Sequence, residues 1–331
     1  MQPGQLHCFE TGLAGDAGPR PARLCYRTWG RLDAQGGNAI LLPSYYTGTS
    51  DSYAGLIGPG RALDSDRFYI VAVDMFGNGR STSPSHAPTP AARAGFAGFS
   101  IQDNVAAQRQ LTAALGIQGF ALVHGWSMGA IQCWFWAAMY PDMVRAILPV
   151  CGAARCWPQN RAFLEGVRGA LMADPVWNGG AYDRPPAAGL RAFGRAYCGW
   201  AYSPRFFREE LWRAKGFDSL DALLRDWEDD HLTWDAADLI AMLDTWVEAD
   251  IGTLGTGWQA VLSGVRARAI VMPCDQDRYF TLEENMLELA HVPQAELRPL
   301  ISPYGHSAGA PGRWPDETAQ IERAIRDLTL T

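Results

Sequence analysis

Short, nearly unbroken apolar runs alternate along this chain with longer stretches of helical spacing. The runs lie at residues 38–45 (NAILLPSY), 68–74 (FYIVAVD), 119–124 (GFALVH), 143–150 (MVRAILPV) and 267–272 (ARAIVM). Runs apolar at every position, rather than at every second one, suit strands of a parallel sheet covered on both faces. Helical spacing occupies 103–115, 128–140, 282–290 and 316–328. Strand-helix alternation of this kind predicts an α/β chain with a mostly parallel, doubly wound sheet. Residues 6–12 and 22–32 are expected as an antiparallel edge, and 295–301 as a further strand.

From Arg155 to Ser263 the alternation stops. No apolar strand run appears there, and Pro/Gly breaks such as Tyr182-Asp183-Arg184-Pro185-Pro186 interrupt stretches of helix formers. A mostly helical insertion is predicted over 155–263, within a core made of 1–154 and 264–331.

Composition alters this picture in a few places. A length of 331 residues suggests two units at about 150 residues each. Eight of the 13 tryptophans fall in the insertion, which marks it as a packed helical cap over a pocket. The net charge of -7 argues against a nucleic-acid partner, because phosphate binding needs a basic face. Lys215 is the single lysine among 28 basic residues, a bias that codon usage explains. Cys8, Cys25, Cys133, Cys151, Cys156, Cys198 and Cys274 are odd in number and lack zinc spacing. They are expected as free thiols, no metal is expected, and the location is expected to be cytoplasmic. Met1-Gln2-Pro3-Gly4 opens no basic-then-apolar signal, and no run reaches the roughly 18 apolar residues of a membrane span. No membrane partner is expected.

The strongest chemical signal is Gly125-Trp126-Ser127-Met128-Gly129, directly after a strand run and directly before a helical one. That is the setting of a G-x-S-x-G nucleophile elbow, where a tight turn lifts the serine above the sheet edge. A serine hydroxyl is a poor nucleophile without a base and an orienting acid, which follow it in the order acid, then histidine. His306, in the loop after the strand at 295–301, is the candidate base, since His291 ends a helix. The acid should lie in 273–280, where position allows Asp275 or Asp277. The oxyanion donors are expected to be the N–H of Met128 and that of Tyr46 in the loop 44–48, with Tyr45 as the neighbouring alternative. His124, the Asp229-Asp230-His231 fragment and Cys133 are read as packing or solvated residues rather than chemistry.

Over residues 38–330 these segments resemble the homoserine acetyltransferase family of α/β-hydrolases. The resemblance rests on residues 57–64 (IGPGRALD), the elbow 125–130 (GWSMGA), 173–182 (ADPVWNGGAY) and Tyr304-Gly305-His306, in that order. It implies an α/β-hydrolase fold with a helical cap, Asp277 as the acid, and Tyr46 as the second oxyanion donor. It also implies that Arg195 and Tyr202, seven residues apart, hold the acceptor substrate, and that a homodimer forms through the cap.

Two departures bear on function. Family acetyltransferases carry an aspartate directly after the histidine, where this chain has Ser307, and a different turn from residues 76–81 (FGNGRS). Both departures resemble the esterase branch of the family. The expectation is therefore a hydrolase of short-chain, acetyl-type carboxylic esters without a cofactor. Trp126 and Ser307 are expected beside the substrate. The alternative is an O-acyltransferase with acetyl-CoA as co-substrate. A non-catalytic binding protein on the same scaffold is the second alternative.

Overall fold

A computed structural model describes residues 4–14 and 18–330. The segment Met1 to Pro3, part of the N-terminal reading above, lies outside the described residues. Eight strands form one sheet: β1 (Leu6–Leu13), β2 (Arg20–Trp29), β3 (Ala39–Pro43), β4 (Tyr69–Val73), β5 (Phe120–Trp126), β6 (Ala146–Val150), β7 (Arg268–Val271) and β8 (Ala295–Leu297). Their order is β1-β2-β4-β3-β5-β6-β7-β8. β1 and β2 are antiparallel and form the edge, and from β4 to β8 the pairing is parallel. Every residue of β3, β4 and β6 is buried, which is why those runs show no polar alternation.

Helices α1 (Pro90–Ala94), α2 (Ile101–Ala114) and α3 (Met128–Met139) belong to the first half of the sheet. Ser100 and Asp103 close a capping box at the start of α2, satisfying donors that the first turn leaves free. Between β6 and β7 the chain is helical: α4 (Pro158–Met172), α5 (Ala187–Ala201), α6 (Pro204–Arg208), α7 (Leu220–His231), α8 (Ala236–Val247) and α9 (Trp258–Ser263), with short 3₁₀ turns between them. α10 (Leu282–Leu289) and α11 (Pro315–Thr329) complete the fold.

The helical stretch is tied to the sheet at its start by a buried carboxylate. Glu288 on α10 accepts hydrogen bonds from the Ala154 N–H and the Trp157 Nε1–H, both at 2.8 Å. Burial pushes its carboxyl up to about 8. Removing the group orphans one buried and one part-buried donor at about 1–3 kcal/mol each. Glu288→Ala is expected to lower the unfolding free energy by about 2–4 kcal/mol in urea titration. A change under about 0.5 kcal/mol would show that the tether is idle.

The cysteine expectation is corrected. Cys8 and Cys25 form a disulfide, because the β1–β2 register places them directly opposite one another. Cys133, Cys151, Cys156, Cys198 and Cys274 are free. Disulfides persist in oxidising compartments, so the cysteines no longer argue for a cytoplasmic location. Among the described residues no helix is long and apolar enough to cross a membrane.

Candidate active site

β5 ends at Trp126 and α3 starts at Met128, so Ser127 alone makes the turn. Its backbone takes φ 57° and ψ -125°, a conformation an L-residue holds only where its surroundings impose it. Two glycines make that possible. A Cβ on Gly125 would stand 2.3 Å from the Gly129 carbonyl carbon, and one on Gly129 would stand 2.7 Å from the Pro43 oxygen. The Ser127 N–H is fixed to the Val150 carbonyl at 3.0 Å, which anchors the turn to the neighbouring strand.

Three side chains far apart in sequence meet here. His306 Nε2 lies 3.0 Å from Ser127 Oγ, and His306 Nδ1 lies 2.8 Å from Asp277 Oδ2. All three residues are buried. A carboxylate only accepts, so Nδ1 carries the proton and Nε2 offers its lone pair to the serine hydroxyl. The other carboxylate oxygen of Asp277 accepts from the N–H groups of Tyr279 at 2.7 Å and Phe280 at 3.2 Å. Asp275 faces elsewhere and accepts from the Ser302 N–H at 2.9 Å. Trp126 stacks on the His306 ring at 5.0 Å and donates from Nε1 to the His306 carbonyl at 3.1 Å. Tyr279 covers the ring from another side at 4.4 Å.

The loop carrying Tyr46 is a tight turn, closed by the Gly48 N–H to the Tyr45 carbonyl at 2.8 Å. Thr47 takes φ 58° in it. The Tyr46 side chain is buried and stacks on Tyr197 at 5.8 Å, with its hydroxyl donating to the Leu239 carbonyl. Gln132 on α3 donates to the Ser44 carbonyl at 2.9 Å, so the helix after the elbow also holds this loop. Among the described residues, no hydrogen bond uses the N–H of Tyr46 or of Met128. The turn after β4 belongs to the same assembly. Asn78 reaches the Gly48 carbonyl and the buried Asp74 carboxylate, which in turn accepts from the Ser50 N–H and hydroxyl.

A cavity of about 550 Å³ opens over the serine. Tyr46, Trp126, Ser127, His306 and Ser307 all line it. The Ser307 hydroxyl accepts from Trp314 Nε1 at 3.1 Å. Of the eight tryptophans in the insertion, Trp227 lines the cavity; others pack, as Trp246 does in the core.

The structure does not bring Arg195 or Tyr202 into this cavity. Arg195 is 49% exposed on α5 and pairs with Glu228 at 2.7 Å and Asp221 at 3.7 Å, both on α7. Tyr202 is fully buried beneath Phe206, and its hydroxyl accepts from Lys215 Nζ at 2.7 Å. Burial brings the Lys215 ammonium down to about 8. Conversely, sequence reasoning gave no role to Tyr197, Asp226, Tyr279 and Arg313, which line the cavity, and it set aside Asp230 and His231, which line it too. His231 was expected at a solvated helix end and is buried instead. No local sequence signal marks these positions, since they converge from separate elements. His124 is a packing residue, held to the Leu148 carbonyl and pushed by burial to about 4. No cluster of His, Cys, Asp or Glu suited to a metal occurs among the described residues.

Comparison with known proteins places this geometry in context. A family model described as the alpha/beta hydrolase fold matches residues 38–309. The ethyl acetate hydrolase of Pseudomonas veronii is 36% identical over 283 residues, covering 84% of this chain and 81% of that protein. A homoserine O-acetyltransferase of Trichormus variabilis is 32% identical over 301 residues, covering 86% and 83%. The solved structure of the acetyl esterase MekB superposes with a TM-score of 0.93 at 33% identity, covering 99% of this chain and 97% of that one. A match from β3 through the elbow to the loop of His306, with relatives similar over most of their length, makes this chain a member of the α/β-hydrolase family.

Proposed function

We propose that the protein is a serine hydrolase that cleaves acetyl and other short-chain carboxylic esters through an acyl-enzyme. The observation that carries this reading is the chain of contacts from Ser127 through His306 to Asp277, at 3.0 and 2.8 Å. In it, Ser127 Oγ attacks the ester carbonyl as His306 Nε2 takes its proton. Asp277 holds the tautomer and stabilises the imidazolium that forms. The free N–H groups of Tyr46 and Met128 receive the developing oxyanion, a contribution of about 10²–10³ in rate per donor. His306 returns its proton to the leaving alcohol. It then activates the water that releases the acid.

Water is favoured over an amino-acid acceptor because the groups the resemblance names for such an acceptor, Arg195 and an aspartate after the histidine, do not line the cavity. Arg195 points outward into ion pairs, and Ser307 is uncharged and engaged with Trp314. An ammonium group at position 307 would meet a hydroxyl rather than a carboxylate. The acyltransferase reading draws on the homoserine O-acetyltransferase relatives. Both readings share the acyl-enzyme step, so one assay separates them. Ethyl acetate should be hydrolysed, while acetyl-CoA should release CoA at the same slow rate with or without homoserine. Fast CoA release that depends on homoserine would reverse the assignment.

A further inference from the structure

α7 brings a second histidine into the catalytic cavity. His231 ends that helix, is 3% exposed, and lines the same space as Ser127 and His306. Its ring is held by one edge. Nδ1 lies 2.8 Å from the Trp227 carbonyl, which only accepts, so Nδ1 bears the proton. The same edge is sealed against α5, since a Cβ on Gly194 would fall 2.9 Å from both Cγ and Nδ1. Phe193, Tyr197 and Trp227 surround the ring at 5.4, 6.0 and 5.8 Å. Nε2, the ring's other nitrogen, has no hydrogen-bond partner among the described residues. Burial pushes the imidazole pKa down, against the opposing pull of Asp230 at 3.5 Å, which keeps Nε2 a lone-pair acceptor at neutral pH.

The neighbouring wall does not select for charge. Asp226 and Asp230 line it, but so does Arg313, and Lys215 stands close enough to Asp226 to feel its field. A neutral donor suits such a surface. Space points the same way. A cavity of about 550 Å³ falls within the range of sites that hold drug-sized molecules, well beyond the needs of ethyl acetate. An acetyl group carries no donor, so the donor belongs to the alcohol.

Resting on the ester-hydrolase reading, we propose that His231 Nε2 accepts a hydrogen bond from a hydroxyl on the alcohol portion of the substrate. The preferred substrates are then short-chain esters of polyhydric alcohols rather than of plain alkanols. The test compares glycerol 1-monoacetate with n-propyl acetate, which shares its carbon skeleton and lacks the two free hydroxyls. Rates are taken per active site, counted with a fluorophosphonate probe. Wild type should favour the monoacetate in kcat/KM by about tenfold, the scale of one buried hydrogen bond. His231→Phe should erase that preference, bringing the ratio of the two kcat/KM values to about one. His231→Gln, which can offer an oxygen near the position of Nε2, should retain part of it. If His231→Phe yields no titratable sites, His231→Ala carries the same expectation. A wild type that hydrolyses n-propyl acetate without preference overturns this inference alone, as does a variant that lowers both esters in parallel. A wild type that hydrolyses neither overturns the esterase reading and this inference with it.

Discussion

Ser127→Ala should remain folded and turn over p-nitrophenyl acetate more slowly than wild type by at least about 10⁴-fold in kcat. The size follows from what is lost. Without Oγ there is no acyl-enzyme, and the difficult step is no longer divided in two. What survives is the cavity and the pair of N–H groups at Tyr46 and Met128, which still favour a tetrahedral oxyanion. The fold should hold because, among the described residues, the hydroxyl's one partner is His306. The strained turn is imposed by Gly125, Gly129 and the Val150 carbonyl rather than by the serine side chain. Steady-state hydrolysis of p-nitrophenyl acetate and thermal melting on the same sample check both halves. A variant with more than a tenth of wild-type kcat would remove Ser127 from the mechanism.

Asp277→Asn is expected to cost on the order of 10⁴ in kcat while leaving KM little changed. Here the geometry dictates which way the amide must turn. One carboxylate oxygen of Asp277 receives the N–H groups of Tyr279 and Phe280, and only an oxygen can occupy that side. The asparagine NH₂ is thereby directed at His306 Nδ1. Nδ1 must then accept, the proton moves to Nε2, and the ring presents a donor to a serine that needs a base. Loss of charge adds to the effect, because nothing then stabilises the imidazolium. The measurement is kcat at neutral pH on titrated enzyme. A fall of less than tenfold would show that the tautomer is set by something other than Asp277.

The parallel strands and the elbow were legible because both depend on local pattern. Unbroken apolar runs report burial on two faces, and a serine between glycines after a strand reports a tight turn. The pairing of Asp277 with His306 was legible through loop order after β7 and β8, although position alone left Asp275 open. What the chain hides is which faces meet. Seven residues are nearly two helical turns, so Arg195 and Tyr202 should share a face. Yet Tyr202 sits where α5 has ended, in extended backbone, and the acids that capture Arg195 come from α7. The Cys8–Cys25 bond depended on a strand register. His231 depended on Gly194, a position whose importance is the absence of a side chain.

The helical insertion also separates the proposed catalytic groups along the chain in an uneven way. Asp277 and His306 are 29 residues apart, whereas Ser127 and His306 are 179 apart. Closing the longer loop costs roughly 1.6 kcal/mol more in chain entropy than closing the shorter. The base and its acid can therefore find each other within the last third of the chain. Bringing Ser127 to His306 requires the sheet from β5 to β8 to be in place. Under the proposed mechanism, a chain that can be acylated at Ser127 is therefore one whose sheet has closed from β5 to β8.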